Sequence, residues 1–184
     1  MVATFKALSR RTITQNKATN MGQVGRFGEW TGPNTGMDED SLAACAAIVK
    51  AGGAVQISLS VVREAIADAQ LIAIIRDRET EKIVAVGSIK ADRPSYRSRQ
   101  FRNANFPIDG YENAAEIGYI AVDDAFQGNG LSAKIMYALG VESGKFFATT
   151  DNIKMKKTLA KSQFHCVGTD WKGGRGALSL WVKD

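Results

Sequence analysis

Residues 116–139, EIGYIAVDDAFQGNGLSAKIMYAL, place a short apolar strand before a glycine-rich turn that runs straight into a helix. Such a junction presents unpaired backbone N–H groups and the positive end of a helix, which is the chemistry of an anion cradle. Ile117, Tyr119, Ile120 and Val122 carry the strand pattern, bounded by Asp123 and Asp124. Leu131, Ile135, Met136 and Leu139, spaced three to four apart, carry the helix. Between them Gln127–Ser132 supplies glycines where a side chain would keep a phosphate off the backbone.

Two kinds of protein place a glycine turn between strand and helix. Gly128, Gly130 and Ala133 satisfy the dinucleotide pattern G-x-G-x-x-A, and Asp151 follows the next apolar run. The context argues against that fold: Asp123–Gln127 separate the strand from the first glycine, and only 33 residues follow Asp151, too few for the remaining parallel strands and crossovers. The second pattern, Q/R-x-x-G-x-G/A, is met by Gln127, Gly130 and Ser132, with serine at the last place. Glu116 opens the preceding strand, Asn152 follows the next one, and Phe164 stands after Gln163 where a "GF" pair is common. With the closing segment 165–182, which reads as two strands around a glycine-rich turn, these features in order resemble the GNAT superfamily of N-acetyltransferases over about residues 70–184.

That resemblance implies a single α/β domain over residues 1–184, with a mixed, mostly antiparallel central sheet flanked by helices and variable segments at 9–37 and 91–115. It implies acetyl-CoA as co-substrate, no metal, and transfer of the acetyl group to a primary amine by direct attack in a ternary complex. The pyrophosphate would lie on Gln127, Gly128, Asn129, Gly130, Leu131 and Ser132, and Asn152 would contact the pantetheine arm. Backbone N–H groups near Ile120, Ala121 and Val122 would polarise the thioester carbonyl. Glu116 matches the general base of some histone-acetylating members, and water alone is the alternative. The tyrosine that many members carry seven residues after the asparagine is Leu159 here, and no tyrosine follows Tyr137. Either the thiolate leaves without a side-chain acid, or Ser143 or Cys166 substitutes, or the chain binds CoA without efficient turnover.

Composition agrees with one compact enzyme domain: 184 residues, 45% hydrophobic and 23% charged, bury a core but not two ordinary ones. No apolar run is long enough to span a membrane. Cys45 and Cys166 lack metal-like spacing and read as free thiols in a reducing compartment, giving a cytoplasmic expectation. His165, the only histidine, reads as structural or exposed. Of the net charge of +5, residues 1–28 carry all of it, through Lys6, Arg10, Arg11, Lys17 and Arg26 with no acid. That start reads either as a transit peptide or, around residues 3–8, as the first strand.

Stepping along the chain, 19–37 reads as a glycine-rich loop around Phe27 and Trp30, forming part of an acceptor wall or merely surface. Helices follow at about 41–50 and 60–69, then the hairpin LIAIIRD/KIVAVGSIK. Segment 91–115 interleaves Arg93, Arg97, Arg99 and Arg102 with Tyr96, Phe101, Phe106 and Tyr111. That mixture is expected to form an acceptor-binding segment or lid; contact with nucleic acid is a less favoured alternative. The acceptor, small molecule or protein, is not named by any motif, and a homodimer is in keeping with the family. Two other functions stand beside acetyl transfer: a regulatory or host-directed effector on the same scaffold, and an acyltransferase directed at nucleic acid.

Overall fold

The computed structural model describes residues 25–184 apart from 54, 142 and 175. A seven-stranded sheet runs through it in the order β1-β2-β3-β4-β5-β7-β6. These strands are β1 (Phe27–Gly32), β2 (Leu71–Asp77), β3 (Ile83–Ile89), β4 (Ala115–Val122), β5 (Phe146–Thr150), β6 (His165–Lys172) and β7 (Ala177–Lys183). Every neighbouring pair is antiparallel except β4 and β5, so the sheet is mixed and mostly antiparallel as expected.

The central strands are apolar on both faces because helices cover both. Ile72 and Ile74 of β2 pack with Leu42, Cys45 and Val49 of α1 (Glu39–Ala51) and with Val62 and Ile66 of α2 (Leu59–Ala67). Their alternate neighbours Ala73 and Ile75 face the other way, against Leu131, Ile135 and Leu139, the first two on α4 (Leu131–Ala138). Asp38 caps α1, its carboxylate accepting from the Ser41 N–H at 2.7 Å, which sets the helix start where the acidic run predicts it. Among the described residues no helix is long and apolar enough to cross a membrane.

Two expectations change. Residues 27–32, read as loop, form the edge strand β1, with Trp30 opposite Ile74. Glycines at positions 28 and 32 hid the strand pattern, and pairing with β2 supplies the order that propensity does not. The strand expected at 3–8 lies outside the described residues. Segment 91–115 contains a helix, α3 (Pro94–Asn103), with proline in its first turn. Phe101 is buried against Phe147 of β5, ring centroids 5.7 Å apart, and against Tyr111 at 5.6 Å. Phe106 packs on the same cluster, so these rings are core and not a base-stacking row.

A half-buried ion pair closes the β2–β3 hairpin. Asp77, with its side chain fully buried, accepts from Arg26 Nε at 2.8 Å and from the Thr80 hydroxyl at 2.9 Å. The bond from Arg26 holds this carboxyl below the usual carboxylate range despite burial. A depressed folded value means the stabilisation is complete above the unfolded value near 3.9 and disappears as pH falls through the folded value. Asp77→Asn is therefore expected to melt lower than wild type at neutral pH, with the gap closing as acidification carries Asp77 through its lowered folded value. Melting curves across that range test it; a gap that ignores pH would assign the loss to packing.

Candidate active site

The site is built by a fault in the sheet. On β3, Val86 and Ser88 are two steps apart, but their partners on β4, Ala121 and Gly118, are three apart. The extra residue is a β-bulge, and within it Tyr119 takes φ of 53°, a left-handed conformation unusual for an aromatic residue. On its other edge β4 pairs with β5 only at Ala115↔Phe146 and Glu116↔Phe147. Beyond those pairs β5 follows β7, from Ala148↔Trp181 to Thr150↔Ser179, and leaves β4 behind. The wedge that opens is a cleft of about 660 Å³, with Gly118–Val122 on one wall and Ala148–Asn152 on the other. N–H groups alternate between the edges of a strand, so those of 118–122 that do not bond β3 open into it.

At one end of the cleft lies the glycine turn. Gly128 and Gly130 have φ of 86° and 71°, and a Cβ on either would meet no atom. Here backbone handedness, not crowding, selects glycine. The N–H groups of Gly128, Asn129, Gly130, Leu131 and Ser132 have no acceptor among the described residues, and the last two begin α4. Five converging donors and the positive end of a helix fit a pyrophosphate. Gln127 buttresses the turn: its amide NH₂ donates to Asp124, and its carbonyl oxygen accepts from Lys154 Nζ at 3.1 Å. Lys154 belongs to α5 (Ile153–Lys161), on the β5 side of the cleft.

Deeper in, Glu116 is 10% exposed and accepts from Lys90 Nζ at 2.7 Å. The pair follows from register, since the Lys90 N–H donates to the Glu116 carbonyl at 2.9 Å across the two strands. The Lys90 chain crosses Gly118, where a Cβ would overlap its Cε, and its ammonium lies 4.6 Å from the Tyr119 ring centroid. Burial pushes the ammonium down, but Glu116 and the phenols of Tyr96 and Tyr119 outweigh it, so the net shift is upward and Lys90 remains cationic. Tyr96, from α3, lines the same cleft, as does Thr149. Burial, then the Glu116 charge, pushes its phenol up, so it stays protonated at neutral pH.

The cleft thus brings together Glu116, Ile120, Ala121, Val122, Gln127, Gly128, Gly130, Leu131, Ser132 and Asn152. Asn129 is not on the lining; its amide donates to the Phe126 carbonyl at 3.0 Å and shapes the turn. Asn152 caps α5, its oxygen accepting from the N–H groups of Lys154 at 2.8 Å and Met155 at 3.3 Å. Only its NH₂ is left for a ligand. Leu159 is fully buried, and Ser143 and Cys166, considered as replacement acids, are not on the lining. Lys90 and Thr149 were not foreseen, and Tyr96 only as one ring of the segment 91–115. Tyr96 arrives from a helix read as loop, and Lys90 through strand register, which no local pattern encodes.

The fold has counterparts among solved structures. An acetyltransferase of the GNAT family from Streptococcus agalactiae superposes with a TM-score of 0.63 at 12% identity, over 85% of this chain and 95% of that one. Arabidopsis thaliana NAA60, solved with acetyl-CoA, gives 0.61 at 10% identity over 85% and 99%. RimL, a ribosomal L7/L12 α-N-protein acetyltransferase solved with coenzyme A, gives 0.54 at 16% identity over 80% and 90%. The fold is therefore that of the GNAT N-acetyltransferases. No protein-family model and no curated protein matches the sequence itself.

Proposed function

We propose that this protein transfers an acetyl group from acetyl-CoA to a primary amine by direct attack in a ternary complex. The observation that carries the reading is the β4–β5 wedge, whose unpaired strand edge leads to five unpaired N–H groups at the start of α4. That arrangement suits a long ligand with a diphosphate at one end and an acyl group at the other, as in the coenzyme bound by NAA60.

Acetyl-CoA supplies an activated acyl group: an N–C bond forms to the acetyl carbon, the C–S bond breaks with its electron pair on sulfur, and the amine gives up a proton. The chain's residues divide that work. Residues 128–132 hold the phosphates, and open N–H groups along 118–122 face the carbonyl oxygen as charge develops. Glu116 accepts the amine proton, directly or through water, while Lys90 fixes its orientation. The Leu159 position supplies no acid, and the phenols of Tyr96 and Tyr119, both residues of the cleft lining, are the candidates to protonate the thiolate. Phe101 is buried and Phe106 and Tyr111 pack against it, so they do not form an exposed stacking row, which weighs against a nucleic-acid acceptor.

Thermal unfolding with acetyl-CoA tests the reading. At about 100 times Kd the ligand adds ~2.7 kcal/mol, a rise on the order of 5 to 10 °C for a chain of this size. That rise, together with thiol release on adding amines, is the expected result. No rise at millimolar acetyl-CoA would overturn it.

A further inference from the structure

A second hollow, of about 210 Å³, adjoins the cleft and shares Lys90, Tyr96 and Glu116 with it. Its remaining lining comes from Gln70, Ala91–Arg93, Arg97 and the turn before β4. Two carboxylates border it and both are engaged: Glu116 with Lys90 at 2.7 Å, and Asp92 with Arg97 Nη1 at 2.6 Å. Three cations border it as well, so the guanidinium of Arg93 is left without a counter-charge among the described residues. The side-chain amides of Gln70 and Asn113 have no hydrogen-bond partner among the described residues either. Arg97 is only 4% exposed, its Nη1 also donating to the Ala114 carbonyl at 3.0 Å, yet its Nε–H has no acceptor. A buried donor left unpaired costs stability, and its retention points to a ligand.

We infer that this hollow is the acceptor site and takes a small amine that carries its own carboxylate, an amino acid in the broad sense, with the carboxylate on Arg93 and the amine beside Glu116. The inference rests on the acetyl-transfer reading for its chemistry and on the hollow alone for its ligand class. One negative charge is what the lining lacks, and the donors left over number enough to surround it. A sphere of that volume is about 7 Å across, smaller than most ligand sites, which suits an amine and a carboxylate separated by a few carbons but not a folded peptide segment. The reaction is unchanged: the nitrogen gains the acetyl group and loses one proton toward Glu116, the sulfur leaves with the C–S electron pair, and the carboxylate only binds.

Alanine and β-alanine, each beside its amide, are the probes, titrated into protein saturated with CoA and assayed for thiol release with acetyl-CoA. The wild type is expected to bind and turn over the acids at least about tenfold better than the amides. Arg93→Gln, at an exposed residue with no side-chain partner to lose, should erase that preference while leaving acetyl-CoA affinity unchanged. Amides used as well as acids, or no acid binding in the titration, would overturn the inference even if acetyl-CoA binds and other amines react. Acid binding that depends on Arg93, without thiol release from any acceptor, would uphold the hollow and overturn acetyl transfer instead.

Discussion

Gly130→Asp is expected to leave the protein folded and to weaken acetyl-CoA binding by more than about 100-fold. Residue 130 has φ of 71°, a conformation that aspartate and asparagine tolerate better than other side chains, and a Cβ there meets nothing. The fold should therefore survive. The new carboxylate would stand among the N–H groups of 128–132, where the proposed site puts the phosphates. One like-charge pair about 5 Å apart, at the effective dielectric near 20 of a protein surface, costs ~3 kcal/mol. That alone is more than 100-fold, and a diphosphate carries more than one charge. Gly130→Asn separates charge from shape: it shares the size and conformational tolerance and should lose only a few-fold. Calorimetric titration of both variants decides the matter. Equal affinities for the two would show that the turn is not where the phosphates bind.

Glu116→Gln is expected to lower kcat by about 100-fold or more, the usual contribution of a positioned base, with KM for acetyl-CoA within a few-fold of wild type. Glutamine keeps the shape and can still accept from Lys90, so the melting temperature should move little. Gly118→Ala makes the complementary change. Its Cβ would occupy the path of the Lys90 chain, a flexible end that can swing away, so the ion pair breaks while the Glu116 carboxylate remains. If Lys90 only orients the base, Gly118→Ala loses less activity than Glu116→Gln. Full activity in Glu116→Gln would identify water as the proton acceptor.

What could be read beforehand follows from the range of the interactions. The strand before the glycine turn, the turn itself and α4 are local: apolar spacing and positive-φ glycines are carried by adjacent residues, and each was legible. Strand β1 was not, because its order comes from pairing with β2 across a separation of about 40 residues. Nor was α3, whose arginine-rich surface masks the spacing of Tyr96, Gln100 and Phe101. The candidate base was visible, but its partner was not: Lys90 and Glu116 meet only because β3 and β4 align in one register. The bulge at Tyr119 had no signal at all, since a tyrosine seldom marks a left-handed position.

Helix α3 ties together parts that many enzymes keep separate. Within its 10 residues, Tyr96 reaches the cleft, Arg97 borders the smaller hollow, and Phe101 is keyed into Phe147 and Tyr111 beneath. A helix this short moves as one rigid rod. Any repacking at Phe101 would thus tilt the rod and shift both upper side chains, so a mutation in the core behind the cleft should alter catalysis. The dependence runs the other way too: substitutions on the wall that α3 presents to the cleft would disturb the interior packing beneath it.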